Sequence, residues 1–289
     1  MISCIICSRQ ADITAELKEN IASTIGCEYE LVVIDNSKNE YSIFSAYNEG
    51  VRRAKGDILC FMHEDILFYN KGWGTSILSH CYKYSDIGVL GVYGGHYLPK
   101  CPCYWLDARI ESTVHISKDA TTNLFNVVKH NQYAGNGERT FVAAVDGVFM
   151  VVPKHMFEHI YWDDKTFNGY HFYDMDLSMQ VHKLGYKVEV IWDVLLYHKS
   201  SGNFDENYLL ARDNWYDKWK ESLPMIVGIN LTKEQLDVAN TIVSTHNALY
   251  TSEVQIKNLL NSKAYKIGKV ILYPFNKFKN FIRGRSKNL

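Results

Sequence analysis

The strongest constraint on this chain lies in its first 62 residues, where three short apolar runs alternate with two amphipathic stretches. Ile2–Cys7, Leu31–Ile34 and Ile58–Met62 are almost unbroken apolar runs. Asp12–Ile25 and Ser42–Lys55 have helical spacing, with Asp12 as the candidate N-cap and Gly26 and Gly56 as stops. A strand–helix–strand–helix–strand order implies parallel strands joined by crossover helices. Such strands are covered on both faces, so they read as continuous apolar runs rather than as alternation. The predicted class is α/β: a mostly parallel central sheet with helices on both faces, followed by a C-terminal helical, basic tail.

The same reading continues with a helix over Gly72–Tyr84, a strand over Ile87–Val92 and a strand over Phe141–Val152 interrupted at Asp146-Gly147. A helix over Phe172–Leu184, a strand over Lys187–Ile191, a strand-like Val194–Tyr197 and a helix over Asp205–Lys220 follow. Residues 93–140 have weak periodicity and read as irregular loops with short strands. Past Pro224, Thr232-Lys-Glu-Gln235 forms a capping box that opens a helix to about Tyr250. A second helix is predicted over Ser252–Asn261. The organisation expected is one α/β domain over 1–222, helices over 223–262 and an amphipathic tail over 263–289.

Charge supports that division. The chain has 31 basic and 32 acidic residues, yet from Lys263 onward there are eight Lys or Arg and no Asp or Glu. The acidic body and basic, Ile- and Phe-rich tail point to an anionic membrane surface as a partner; the alternative is packing on the body or on a second copy, as in a homo-oligomer. No run reaches the roughly 18 apolar residues that would span a bilayer, and no leader peptide is read at the N-terminus. Seven cysteines, an odd number, several inside apolar runs, read as free thiols in a reducing compartment. A cytoplasmic location, peripheral on the inner face of the membrane, is expected; a nucleic-acid partner is not.

In an open parallel α/β sheet, ligands bind beyond the carboxyl ends of the strands. Asp35 follows the second run, and His63-Glu64-Asp65 follows the third. Ionisable residues directly after an apolar strand are costly unless they open into a site. In extended backbone His63 and Asp65 project to one side, where an imidazole and a carboxylate can hold a divalent cation or a ribose hydroxyl. The plainer reading is an acidic helix start. Asp174 and Asp176 open a helix, where a carboxylate can act as a general base or simply cap. His198, with Lys199 and two serines after it, can supply a metal ligand and phosphate contacts, or be an ordinary strand-end histidine.

Taken in order, these segments resemble the GT-A nucleotide-sugar glycosyltransferases, in particular the bacterial glycosyltransferase family 2-like proteins. The resemblance rests on Cys4-Ile-Ile-Cys-Ser-Arg9 with Leu31-Val-Val-Ile-Asp-Asn36, and on Ala46-Tyr-Asn-Glu-Gly50 with Ala54-Lys-Gly-Asp57. It continues through Phe61-Met-His-Glu-Asp65, Val145-Asp-Gly-Val-Phe-Met150, and Tyr173-Asp-Met-Asp-Leu177 with Leu184-Gly-Tyr-Lys-Val188, and closes at His198. It implies a nucleotide-binding role for Ser8, Arg9, Asp35, Asn48, Asp57, His63, Glu64 and Lys199. It implies metal binding by Asp65 and His198, with His63 a further candidate ligand. Asp174 would be the general base, with Asp146 and Asp176 beside it. Two positions depart from the family pattern: His63 stands for the first Asp of Asp-x-Asp, and Tyr173 for the Glu before the catalytic Asp. The Gln-x-x-Arg-Trp motif of processive synthases is absent after residue 202.

The function implied is an inverting, metal-dependent glycosyltransferase. It would move a sugar from a nucleoside-diphosphate donor, UDP favoured, with Mn²⁺ or Mg²⁺, to a saccharide or lipid-linked acceptor in bacterial surface polysaccharide synthesis. The alternatives are a nucleotidyltransferase, which lacks support from any Gly-rich, Lys-containing loop near the N-terminus, and a non-catalytic GT-A-like binding module.

Overall fold

A computed structural model describes residues 1–131, 139–200, 206–263 and 265–267. The predicted opening is present as β1 (Ile2–Ser8), α1 (Ala15–Thr24), β2 (Tyr29–Asp35), α2 (Ile43–Arg53) and β3 (Ile58–Met62). β1 pairs in parallel with both β2 and β3. The first helix begins later than predicted. Asp12 accepts from Ile13 N at 2.8 Å, and Thr14 is the N-cap that accepts from Leu17 N at 3.2 Å.

After β4 (Ile66–Phe68), α3 (Trp73–Lys83) and β5 (Ile87–Gly91), the chain enters the stretch read as irregular. It holds more order than that. β6 (Tyr93–Gly95) and β7 (Tyr97–Leu98) are short, but β8 (Glu111–Lys118) and β9 (Phe125–Asn131) form a long antiparallel hairpin. The single strand predicted over 141–152 is three pieces: β10 (Thr140–Phe141), β11 (Ala144–Val145) and β12 (Phe149–Pro153). β10 and β12 belong to one sheet and β11 to another, and Asp146-Gly147 lies where the chain passes from β11 to β12. α4 (Tyr173–Lys183), β13 (Lys187–Val190), β14 (Leu196–His198), α5 (Glu206–Trp219) and β15 (Met225–Ile226) follow. α6 (Lys233–Asn261) is one 29-residue helix rather than two, opened by the predicted Thr232/Gln235 capping box.

The main sheet has the order β10-β13-β5-β12-β3-β1-β2. It is parallel through β3-β1-β2 and through β13-β5, and β12 runs antiparallel between those halves. Its faces divide the core. Ile5 and Phe61 join Phe44, Tyr47 and Trp162 on one side; Ile6, Cys60 and Met62 join Ile21, Trp73 and Phe149 on the other. This is the period-2 consequence of strands buried on both faces. All seven cysteines are free, and Cys4, Cys60 and Cys103 are buried.

The second sheet, β11-β6-β8-β14-β4 with β9 on β8, stands beyond the carboxyl ends of β1 and β3 and creates the cleft. β14 pairs antiparallel with β4, which sets His198 opposite Ile66. That pairing brings His198 to His63 and Asp65 across 133 residues of chain. Among the described residues no helix is long and apolar enough to cross a membrane. Residues 268–289, most of the predicted basic tail, lie outside the described residues.

Candidate active site

A cleft of about 960 Å³ opens at the ends of β1 and β3 and runs along β8. Its first polar cluster is His63, Asp65 and His198. His63 Nδ1 lies 3.4 Å from His198 Nε2 and 4.0 Å from Asp65 Oδ1; His198 Nε2 lies 3.3 Å from the same oxygen. Three ligand atoms of these three residues therefore face a common point. Two imidazoles and one carboxylate on one face form a set that suits a transition-type divalent cation. Burial, and then the neighbouring His198, lower the His63 pKa, which favours the neutral imidazole that a cation needs. Burial alone would raise the Asp65 carboxyl. Hydrogen bonds from His198 and Ser200, with the electrostatic influence of the two histidines, outweigh it and hold Asp65 well below the usual carboxylate range.

His63 has a support behind it. Its Nε2 is 2.7 Å from Tyr173 Oη, so with Nδ1 facing the cluster the Nε2–H donates to the phenol. A partner on the remote ring nitrogen fixes tautomer and ring orientation in metal sites. Tyr173 itself needs Gly147: a Cβ there would lie 2.1 Å from the phenol oxygen. The backbone over 63–65 is not the extended segment predicted: β3 ends at Met62, and Glu64 and Asp65 form the turn into β4. Glu64 accepts from Ser8 Oγ at 2.6 Å and from Arg9 Nε at 2.9 Å, and so ties β1 to β3 at the cleft mouth.

The second cluster is Asp174, Asp146 and Tyr104. Asp174 sits in the first turn of α4, 2 % exposed. It accepts from Gly147 N at 2.9 Å and from Tyr104 Oη at 2.7 Å. Tyr104 Oη also lies 3.1 Å from Asp146 Oδ2, whose other oxygen accepts from Val148 N at 2.8 Å. Burial, and then the nearby Asp146 charge, push the Asp174 carboxyl up to about 7, although Tyr104 and two backbone amides pull the other way. A carboxylate tuned to neutral pH matches what general-base catalysis asks for.

Several predicted residues lie elsewhere. Asp57 precedes β3, at the end of the strand away from the cleft. The length of β3 lies between it and His63, six residues or about 20 Å. Asn48 donates from Nδ2 to Trp162 O at 2.8 Å and accepts from Trp162 N at 3.3 Å, so its amide anchors the Trp162 backbone rather than lining the cleft. Asp176, only two residues from Asp174, is 1 % exposed on another face of α4. It accepts from Trp219 Nε1 at 2.8 Å and pairs with Lys218 at 2.7 Å, holding α5 to α4. Lys199 pairs with Glu16 at 2.5 Å. Asp35 is exposed at the end of β2, where it accepts from Ser37 N at 2.9 Å in an Asx turn. Its neighbour Asn36, which does line the cleft, donates to Tyr170 Oη at 2.8 Å.

The sequence reading missed Tyr104 and the cleft-facing row Glu111, Thr113, His115 and Ser117 of β8. Their signal was alternation with the buried Ser112, Val114 and Ile116.

Residues 1–216 match the model of the glycosyltransferase-like family. Among solved structures, GalNAc-T7 with UDP, GalNAc and Mn²⁺ is similar with a TM-score of 0.50 and 12% identity, over 91% of this chain and 58% of that one. S. aureus TarS 1-349 in complex with UDP-GlcNAc gives 0.47 and 13% identity, over 91% and 76%. A197 from STIV gives 0.40 and 12% identity, over 69% and 86%. No curated protein matches. The chain spans little more than half the length of GalNAc-T7, and at that identity the likeness speaks for a shared GT-A fold. With 216 of its 289 residues inside the family match, and both polar clusters within that span, this chain belongs to the glycosyltransferase-like family.

Proposed function

We propose that the protein is an inverting, divalent-cation-dependent glycosyltransferase that takes a nucleoside-diphosphate sugar, UDP favoured, and transfers the sugar to a saccharide or lipid-linked hydroxyl. The observation that carries this reading is the pairing, in one cleft, of a two-histidine, one-carboxylate cluster with a buried carboxyl raised to about 7. His63, Asp65 and His198 would hold the cation, which when bound would offset the charge that grows on the leaving diphosphate. Arg9 and Asn36 line the donor end beside them. Asp174 accepts the proton of the attacking hydroxyl, and Tyr104 and Gly147 N keep its oxygen aimed at the cleft. Attack from the face opposite the leaving group inverts the anomeric centre. General-base help of this kind is worth roughly 10²–10⁴-fold. Residues 1–222 would form the catalytic unit, and a role in bacterial surface polysaccharide assembly at the inner face of the membrane fits the basic tail.

The test is thermal unfolding with UDP, GDP, dTDP or CMP, each with Mn²⁺, Mg²⁺ or EDTA. A ligand at 100 times its Kd stabilises by about 2.7 kcal/mol, which should raise the midpoint by several degrees at roughly 2–4 °C per kcal/mol for a chain of this size. One nucleotide giving that shift, lost in EDTA, supports the reading. No shift with any of them sinks it and favours a non-catalytic binding module. Retention of anomeric configuration in the product, seen by NMR, sinks the inverting mechanism alone.

A further inference from the structure

Parallel pairing sets Tyr197, beside His198, against Ile116 of β8. Ser117 therefore lies at the metal-cluster end of the cleft. Glu111, six residues back along the same cleft-facing row, lies about 20 Å away. At about 960 Å³ the cleft is at the top of the range for small-molecule pockets, roughly 300–1,000 Å³, so there is room for a second ligand beyond the donor.

The far end is built for one. Among the described residues, Glu111 Oε2 is buried without a hydrogen-bond partner, and so is His115 Nδ1 midway along the row. Buried polar atoms of this kind ask for a partner. Tyr208 of α5 and Tyr250 of α6 line the same cleft and pack edge to face, ring centroids 5.9 Å apart; Tyr208 is buried and Tyr250 half-buried. Arg109, also in the lining, stands near both Glu111 and Tyr250. Tyr93 packs its ring over His115 at 5.1 Å. A carboxylate with a free oxygen in a cleft lined by aromatic rings is a combination suited to a sugar: hydroxyls to the carboxylate, C–H face to the rings. Tyr250 also lies outside the span that matches the family.

We infer that the far end of the cleft is an acceptor subsite for a glycosyl unit, with Glu111 as the specificity-determining residue and Tyr250 as its aromatic wall. This rests on the glycosyl-transfer reading. Glu111 bonds hydroxyls of the acceptor while the hydroxyl that reacts reaches Asp174.

The test uses the full chain and p-nitrophenyl hexosides as probes. Saturation-transfer NMR reads their binding with UDP and Mn²⁺ present; isothermal titration calorimetry reads UDP affinity separately. Wild type should bind neutral hexosides. Glu111→Gln, which keeps side-chain volume, and Tyr250→Ala should each weaken hexoside binding tenfold or more and leave UDP affinity within twofold. Hexoside binding unchanged in both variants, no binding of any neutral hexoside to wild type, or an equal loss of UDP affinity would overturn the subsite. Hexoside binding that depends on Glu111 in a protein that binds no nucleotide would retain the subsite and sink the transferase reading instead.

Discussion

Asp65 and Asp174 share one cleft and one side-chain chemistry, yet their carboxyls move in opposite directions. Both are penalised by burial. Asp65 faces two imidazoles and a serine hydroxyl, and is held down. Asp174 is buried more deeply and faces another carboxylate; burial first, and then the Asp146 charge, push it up to about 7. Depth of burial and the choice of neighbours together separate the two. One carboxylate stays charged at any pH the cell offers and suits a cation. The other trades its proton near neutrality and suits base catalysis.

The contrast can be broken at several points. The largest effect is expected from Asp174→Asn: turnover should fall by at least 10²-fold with UDP affinity retained, measured by product formation and calorimetry. The same variant tests the pKa. A carboxyl raised in the folded state contributes stability that is complete below about pH 4 and is lost as pH rises through 7. Asp174→Asn should therefore unfold at a higher temperature than wild type at pH 8, by the equivalent of a few kcal/mol, and the gap should close towards pH 4. A gap that does not change with pH would mean that Asp174 is not raised.

At the other cluster, Tyr173→Phe removes only the bond to His63 Nε2. Loss of such a support typically costs 10–100-fold in metal affinity, readable as a shift in the Mn²⁺ titration of UDP-induced stabilisation. Asp146→Asn is subtler. It removes the charge that adds to burial in raising Asp174, so the acid limb of the kcat–pH profile should move part of the way to lower pH; a limb that does not move would assign it to another group. The smallest effect on function is expected from Asp176→Asn. Lys218 would keep Asp163, at 2.7 Å, but the α4–α5 contact would weaken. The melting temperature should drop, by the equivalent of about 1–3 kcal/mol, while UDP affinity holds.

The sequence made the parallel strands legible because burial on both faces writes itself as unbroken apolar runs. His63 and Asp65 were legible because charge directly after such a run is costly elsewhere. Other features hid for definable reasons. β8 wets one face in the cleft, so Glu111, Thr113, His115 and Ser117 passed for loop residues. Asp176 is only two residues from Asp174 in sequence, but two helical residues turn through about 200°, which carries it off the cleft and towards α5. Asp57 sits at the wrong end of its strand, a fact that needs the strand's direction in space. The two departures from the family pattern, His63 and Tyr173, proved to be one feature: they hydrogen-bond each other.

Tyr104 carries a consequence for side reactions. Its hydroxyl bonds Asp174 and lies within reach of Asp146. If Asp174 is the base of the proposed mechanism, an incoming alcohol has to share that carboxylate with the phenol or take its place. A lone water molecule would meet the same competition with no other contact to hold it. The tyrosine would then favour transfer over hydrolysis of the donor.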